Sequence, residues 1–216
     1  MPVAIKICGF TRVEDIVAAT EISVDAIGLV LADDAHVPLS DQEIISLLQE
    51  IPQPSIQAIA VTGETSTHRA REVLEMGFDW VQVVVKPNQS FPPDLMKKII
   101  PVFFDSADVE TRISNWFSES DFQVHSSTDP FRCVTIDGPA GGGKGIAADR
   151  ERAALISRKY PLMLAGGLRS NNVSEAIKLV QPLAVDVSSG VESSPGIKDA
   201  AKMQAFVQAI RRTAFD

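Results

Sequence analysis

Two side chains stand where the sequence allows acid–base chemistry. Cys8 closes the apolar run Val3-Ala4-Ile5-Lys6-Ile7-Cys8, and Gly9 then lets the chain turn sharply. Asp137 closes the run Cys133-Val134-Thr135-Ile136-Asp137. A thiol accepts a proton once it is a thiolate, and a cation nearby favours that form. A carboxyl donates a proton once burial or a nearby negative charge keeps it protonated. Alternate residues of a strand share a face, so Lys6 accompanies Cys8, while Cys133 and Thr135 accompany Asp137. A lone cysteine is normally a core residue, and position alone leaves Cys8 open between that role and catalysis. Cys133 lies deeper along its run and reads as structural.

Two glycine-bearing turns come later. One is Leu164-Ala165-Gly166-Gly167-Leu168, followed by Arg169-Ser170-Asn171-Asn172 opening a helix. The other is Asp186-Val187-Ser188-Ser189-Gly190-Val191-Glu192. Glycines let backbone approach a ligand closely, and amides at a helix start point towards an anion. One such turn can be only a turn; two in succession suggest a phosphate site. A third run, Gly138-Pro139-Ala140-Gly141-Gly142-Gly143-Lys144-Gly145, partly fits the GxxxxGK[ST] pattern. Gly145 stands where the magnesium-holding hydroxyl would be, so a mobile loop over the substrate is expected here rather than a nucleotide site.

These groups need elements to position them. Strands are expected at Val3–Cys8, Ala26–Leu31, Ala58–Val61, Trp80–Val85, Val102–Phe104, Cys133–Asp137, Leu162–Ala165 and Ala184–Val187. Helices are expected between them, at Arg12–Thr20 behind Thr11 as cap, Asp41–Gln49 behind Ser40, and Ser66–Met76 stopped by Gly77. Asp149–Lys159, Asn172–Val180 and Ala200–Arg212 follow the same logic, with weaker patterns at Pro92–Ile99 and Val109–Phe117. Eight strand–helix units in 216 residues point to an α/β protein, a single-domain (β/α)8 TIM barrel spanning residues 1–216. An open, doubly wound sheet is the competing architecture. In a barrel the two glycine turns follow strands seven and eight, the usual phosphate position of that fold.

The formal net charge of −8 argues against nonspecific binding to nucleic acid or anionic membranes. Two cysteines make no disulfide framework, and no metal-ligand spacing is visible, so no metal is expected. The opening run is broken by Lys6 and too short for a signal peptide, and no stretch of about 18 apolar residues exists. A cytoplasmic protein is expected.

Together these segments resemble phosphoribosylanthranilate isomerase, an enzyme of tryptophan biosynthesis. The matching stretches are Lys6-Ile7-Cys8-Gly9-Phe10-Thr11-Arg12 with Glu14-Asp15, then Asp25-Ala26-Ile27-Gly28-Leu29-Val30, Val81-Gln82, Asp137, and Leu164 through Val173. Val185 through Asp199 is the most specific. The resemblance implies an Amadori rearrangement of a phosphoribosyl arylamine to a 1-deoxyribulose phosphate. It gives Asp137 the role of general acid and Cys8 that of general base. It implies a substrate and phosphate set of Lys6, Gly166, Gly167, Asp186, Ser188, Ser189 and Gly190, with His36 and Gln82 as possible aryl-side residues. No cofactor is implied, and the only partner is a small phosphorylated sugar-amine.

Two departures fall on the aryl side. The family places a Ser-Pro-Arg run after the second strand, whose arginine meets the anthranilate carboxylate. Here the stretch is Ala32-Asp33-Asp34-Ala35-His36-Val37-Pro38, and histidine does not replace a bidentate arginine. After the fourth strand the family has Val-Gln-Leu-His-Gly, against Val81-Gln82-Val83-Val84-Val85-Lys86 here. Three readings therefore stand: the isomerase itself, a paralogue rearranging another N-phosphoribosyl amine, or a noncatalytic phosphosugar-binding barrel. Nothing in the sequence demands a dimer, and a monomer is expected.

Overall fold

Eight parallel strands pair in sequence order and close on themselves: β1 Ala4–Cys8, β2 Ala26–Val30, β3 Gln57–Gly63, β4 Trp80–Val84, β5 Ile99–Phe104, β6 Val134–Asp137, β7 Leu162–Leu164 and β8 Ala184–Val187. Closure is made by β1 against β8, with Lys6 level with Asp186. The open-sheet alternative is thereby excluded. The computed structural model describes residues 2–32, 35–87, 89–119, 129–139, 141 and 147–213.

Helices follow each strand: α1 Val13–Thr20, α2 Asp41–Gln49, α3 Thr67–Glu75, α4 Pro93–Met96, α5 Val109–Glu119, α6 Arg150–Ser157, α7 Val173–Val180 and α8 Ala200–Thr213. The expected caps at Ser40 and Ser66 form. Ser40 and Glu43 make a reciprocal capping box, and Ser66 accepts from the Arg69 amide. Thr11 does not cap α1. Arg12 occupies that position, and the Thr11 hydroxyl instead donates to the Gly196 carbonyl at 2.6 Å. The expected helix Pro92–Ile99 shrinks to α4. Ile99 and Ile100 join β5 instead, because Ile99 pairs with Val81 and the Ile100 side chain fills the barrel. A hairpin of β9 Glu192–Ser194 and β10 Ile197–Lys198, outside the strand–helix rhythm, follows β8.

The barrel interior is built in layers by strand alternation. Small and apolar side chains, among them Ala4, Ile59, Trp80, Cys133 and Met163, fill the end where the strands begin. Above them the interior turns polar: Lys6, Gln82, Thr135 and Asp186 are all buried there. A second apolar shell, far larger, lies between the strands and the helices. Among the described residues no helix is long and apolar enough to cross a membrane.

Candidate active site at the carboxyl ends of the strands

Cys8 and Asp137 are the last residues of β1 and β6, so both stand at the same end of the barrel. Cys8 is 8% exposed, and Asp137 is half-buried. Beneath them, Lys6 Nζ donates to Asp186 Oδ2 at 2.7 Å, with the lysine side chain fully enclosed. Burial alone would push the Lys6 ammonium down. The Asp186 carboxylate and Cys8 outweigh burial and hold it above its ordinary value. Lys6 is therefore a permanent cation.

That pair acts on both candidate catalytic groups. Burial raises Asp137 to about 6; the Gly138 amide, donating to Asp137 Oδ1 at 2.7 Å, opposes it, and Asp186 adds to it. The expectation of a protonatable carboxyl is met by burial first. For Cys8 the sequence-based expectation needs correction. Lys6 does lower its pKa, but burial is larger, and Asp186 adds to burial, so the thiol lies above its ordinary range. Lys6 supports a thiolate without making it the resting state. Cys133 is buried at 1% exposure and pushed up chiefly by burial, as a structural thiol should be.

Room for the Lys6–Cys8 arrangement comes from Gly28 on β2. A Cβ there would lie 2.8 Å from Cys8 Sγ and 3.0 Å from Lys6 Nζ, too close for any side chain. Two buried acceptors, Asp186 Oδ1 and Gln82 Oε1, have no hydrogen-bond partner among the described residues. A polar atom so placed costs free energy unless something bonds it. Gln82 sits one layer below the mouth, its amide 3.5 Å from Thr135 Oγ1.

The two glycine turns pack against each other beside β1. Gly166 and Gly167 take positive φ, +85° and +63°. Gly190 lies in a one-turn 3-10 helix, Ser189–Val191, and a Cβ on it would fall 1.9 Å from the Leu168 carbonyl oxygen. Asn172 pins the first turn, accepting from the Arg169 amide and donating to the Gly167 carbonyl. The amides of Gly166, Gly167, Ser189 and Gly190 donate to no acceptor among the described residues. Four unspent donors in abutting turns suit an anion.

The sequence reading passed over two charged residues here. Lys198, fully enclosed, donates to Glu192 at 2.7 Å and reaches Ser188 Oγ at 3.4 Å. Its backbone amide donates to Asp15, itself bound by Arg12, which ties the turn after β1 to the hairpin after β8. The lysine and glutamate were visible in the sequence, but their pairing depends on the hairpin, which no strand pattern announced. His36 is exposed and makes no hydrogen bond or ion pair with the described residues. The structure does not join it to Gln82. Asp33, Asp34 and most of the Gly138–Gly145 run lie outside the described residues. Among the described residues no three His, Cys, Asp or Glu side chains gather as a metal site.

Residues 5–209 match the model of the N-(5'phosphoribosyl)anthranilate (PRA) isomerase family. The chain belongs to this family. A PRA isomerase from Roseiflexus sp. is 34% identical over 221 residues, covering 97% of this chain and 98% of the relative. The phosphoribosylanthranilate isomerase of Thermotoga maritima superposes with a TM-score of 0.79 at 26% identity, covering 97% of this chain and 99% of the other. A third, at 25% identity and TM-score 0.76 over 97% and 99% of the two chains, was solved with reduced 1-(o-carboxyphenylamino)-1-deoxyribulose 5-phosphate. The PRA isomerase family thus shares with this chain both its sequence over nearly the full length and its barrel.

Proposed function

We propose that the chain isomerises N-(5'-phosphoribosyl)anthranilate to 1-(2-carboxyphenylamino)-1-deoxyribulose 5-phosphate, a step of tryptophan biosynthesis. The observation that carries this reading is that Cys8 and Asp137, on separate strands, feel the same buried Lys6–Asp186 pair at one barrel mouth. The amide-lined turns after β7 and β8 stand at that mouth.

The reaction needs an acid at the ring oxygen and a base at C2. Asp137, protonated, gives its proton to the ring oxygen as the C1–O bond breaks and the amine nitrogen forms the C1=N bond. Cys8, as thiolate, removes the C2 proton. The electrons of that bond form C1=C2 and return the nitrogen to a neutral amine. Protonation of the enol-amine at C1 and loss of the C2 hydroxyl proton leave the ketone. Lys6 holds positive charge beside the thiolate, and the unpartnered Asp186 Oδ1 accepts from a substrate hydroxyl. The phosphate binds at the amides of Gly166, Gly167, Ser189 and Gly190, with Ser188 steadied by Lys198 and Glu192. The enzyme acts as a monomer in the cytoplasm, which sedimentation and fractionation test.

Growth rescue of a tryptophan auxotroph lacking this isomerase is the expected outcome. Cys8→Ala is expected to impair rescue and to cut turnover sharply while phosphate-analogue binding persists. Failure of the wild-type chain to rescue, with activity on another N-phosphoribosyl amine, would favour the paralogue reading. The missing aryl-side arginine is what keeps that alternative open.

A further inference from the structure

A second enclosed ammonium stands beside the base, and the proton transfers described so far leave it unused. Lys198 on β10 has no exposed side-chain surface, while its partner Glu192 keeps 14%. Lysine is almost never fully buried unless paired, and a buried pair is weak ground for stability. The hairpin holds this lysine firmly. Its amide donates to Asp15 at 3.0 Å, the Asp199 amide donates to the Val191 carbonyl at 2.9 Å, and Lys202 Nζ donates to the Glu192 carbonyl at 2.6 Å.

That hold seats the ammonium against the turn after β1. A Cβ on Gly9 would lie 3.0 Å from Ser188 Oγ, 3.5 Å from Lys198 Nζ and 3.9 Å from Glu192 Oε1. The same ammonium lies 5.7 Å from the centre of the Phe10 ring. Gly9 directly follows Cys8, and Ser188 directly precedes the turn of Ser189 and Gly190. Lys198 is thus wedged between the base and the phosphate turn. Its charge reaches the thiol. Burial holds Cys8 above its ordinary range, Lys6 of β1 opposes burial, Asp186 of β8 adds to it, and Lys198 of β10 joins Lys6 in opposing it. Lys6 is already bound by Asp186 at 2.7 Å, so the effects of those two on the thiol run against each other.

We infer that Lys198 is a positioning residue for the base: its enclosed ammonium, seated against the Gly9 turn, stabilises the Cys8 thiolate that takes the C2 proton. Lys198 itself neither gives nor takes a proton. Glu192 holds the ammonium in place and tempers its field. The inference rests on the proposed role of Cys8, and a readout that needs no catalysis separates the two. Alkylation of Cys8 by iodoacetamide at pH 8 follows the thiolate, and the mass of the Cys8 peptide identifies the site. It is measured on the wild type, Lys198→Met, Glu192→Gln and the double variant Lys198→Met/Glu192→Gln, which leaves neither charge stranded.

Lys198→Met is expected to slow alkylation about three- to tenfold, the loss of thiolate being partly offset by the greater nucleophilicity of a more basic thiol. Glu192→Gln, which unshields the cation, is expected to speed it about twofold or more. The double variant is expected to fall between Lys198→Met and the wild type. Opposite signs set electrostatics apart from loosening, because a loosened turn exposes Cys8 and speeds every variant. Lys198→Met alkylated as fast as the wild type, or faster, overturns the inference. So does Glu192→Gln slower than the wild type, a result that decides the matter even where the lysine variants fail to fold. A raised Kd for inorganic phosphate with alkylation unmoved marks a prop of the phosphate turn and overturns it too. Turnover of phosphoribosylanthranilate by the wild type is measured alongside. Its absence with alkylation shifted as expected sinks the functional reading alone, and its presence with alkylation unmoved by Lys198→Met sinks this inference alone.

Discussion

Where β1, β7 and β8 meet, each functional group is held by a buried neighbour. Lys6 is locked on Asp186, Lys198 on Glu192, and the turn after β8 rests on the Leu168 carbonyl with no room for a side chain. Around β2 to β5 the fixings are looser: His36 has no partner among the described residues, and Lys86 is tied only to an exposed Glu64. The phosphate and the transferred protons demand fixed geometry, because a misplaced acid, base or dianion site costs rate directly. The exposed loop residues on the other side, His36 and Lys86, are under no such demand. The difference explains why the sequence keeps the family pattern on one side of the mouth and departs from it on the other.

The contrast is broken most forcefully at the catalytic pair. Cys8→Ala or Asp137→Asn is expected to lower kcat by on the order of 10²–10⁴-fold in steady-state assays, with little change in phosphate-analogue affinity. A variant that lost affinity and kept kcat would move these groups out of the chemistry. Next comes Lys6→Met, which strands Asp186 in the interior. Chemical denaturation is expected to show a loss of about 3–5 kcal/mol, the usual penalty for an uncompensated buried charge. A loss well under 1 kcal/mol would mean the pair is more solvated than its enclosure implies.

Gly190→Ala sharpens the comparison within the phosphate turns. The added Cβ meets the Leu168 carbonyl at 1.9 Å, so the two turns must part. Thermal unfolding is expected to register about 1–3 kcal/mol of destabilisation, with a raised Kd for inorganic phosphate. On the looser side the expected effect is smallest. Lys86→Ala breaks only an exposed pair and should change KM by less than about twofold. A tenfold rise would place Lys86 in the recognition site.

Much of this was legible before any coordinates. Eight apolar runs closed by Cys8, Asp137 and two glycine turns placed the reactive end of the barrel, because strand alternation and parallel order leave few other arrangements. What stayed hidden depends on contacts between distant segments. The β9–β10 hairpin is short and polar, so its pattern says nothing, yet it makes Lys198 and Glu192 a pair. Thr11 reads locally as a helix cap until Gly196 takes its hydroxyl. Lys6 beside Cys8 reads as thiolate support until burial is weighed, and burial is a property of the closed barrel alone.

The most direct test of the acid–base pair is the pH dependence of kcat/KM in the wild type and in Asp137→Asn. Asp137 titrates at about 6 and the Cys8 thiol above its ordinary range, so the working form, acid protonated and thiol ionised, is a minority with the same net proton count as its inverse. The wild type should therefore rise to about pH 6, stay flat through neutrality and fall only in the thiol range, whereas Asp137→Asn should climb about tenfold per pH unit across neutrality with no break near 6. A wild-type rate that falls as pH passes 6, or an Asp137→Asn profile as flat as the wild type, would contradict a thiol at β1 working with a carboxyl at β6.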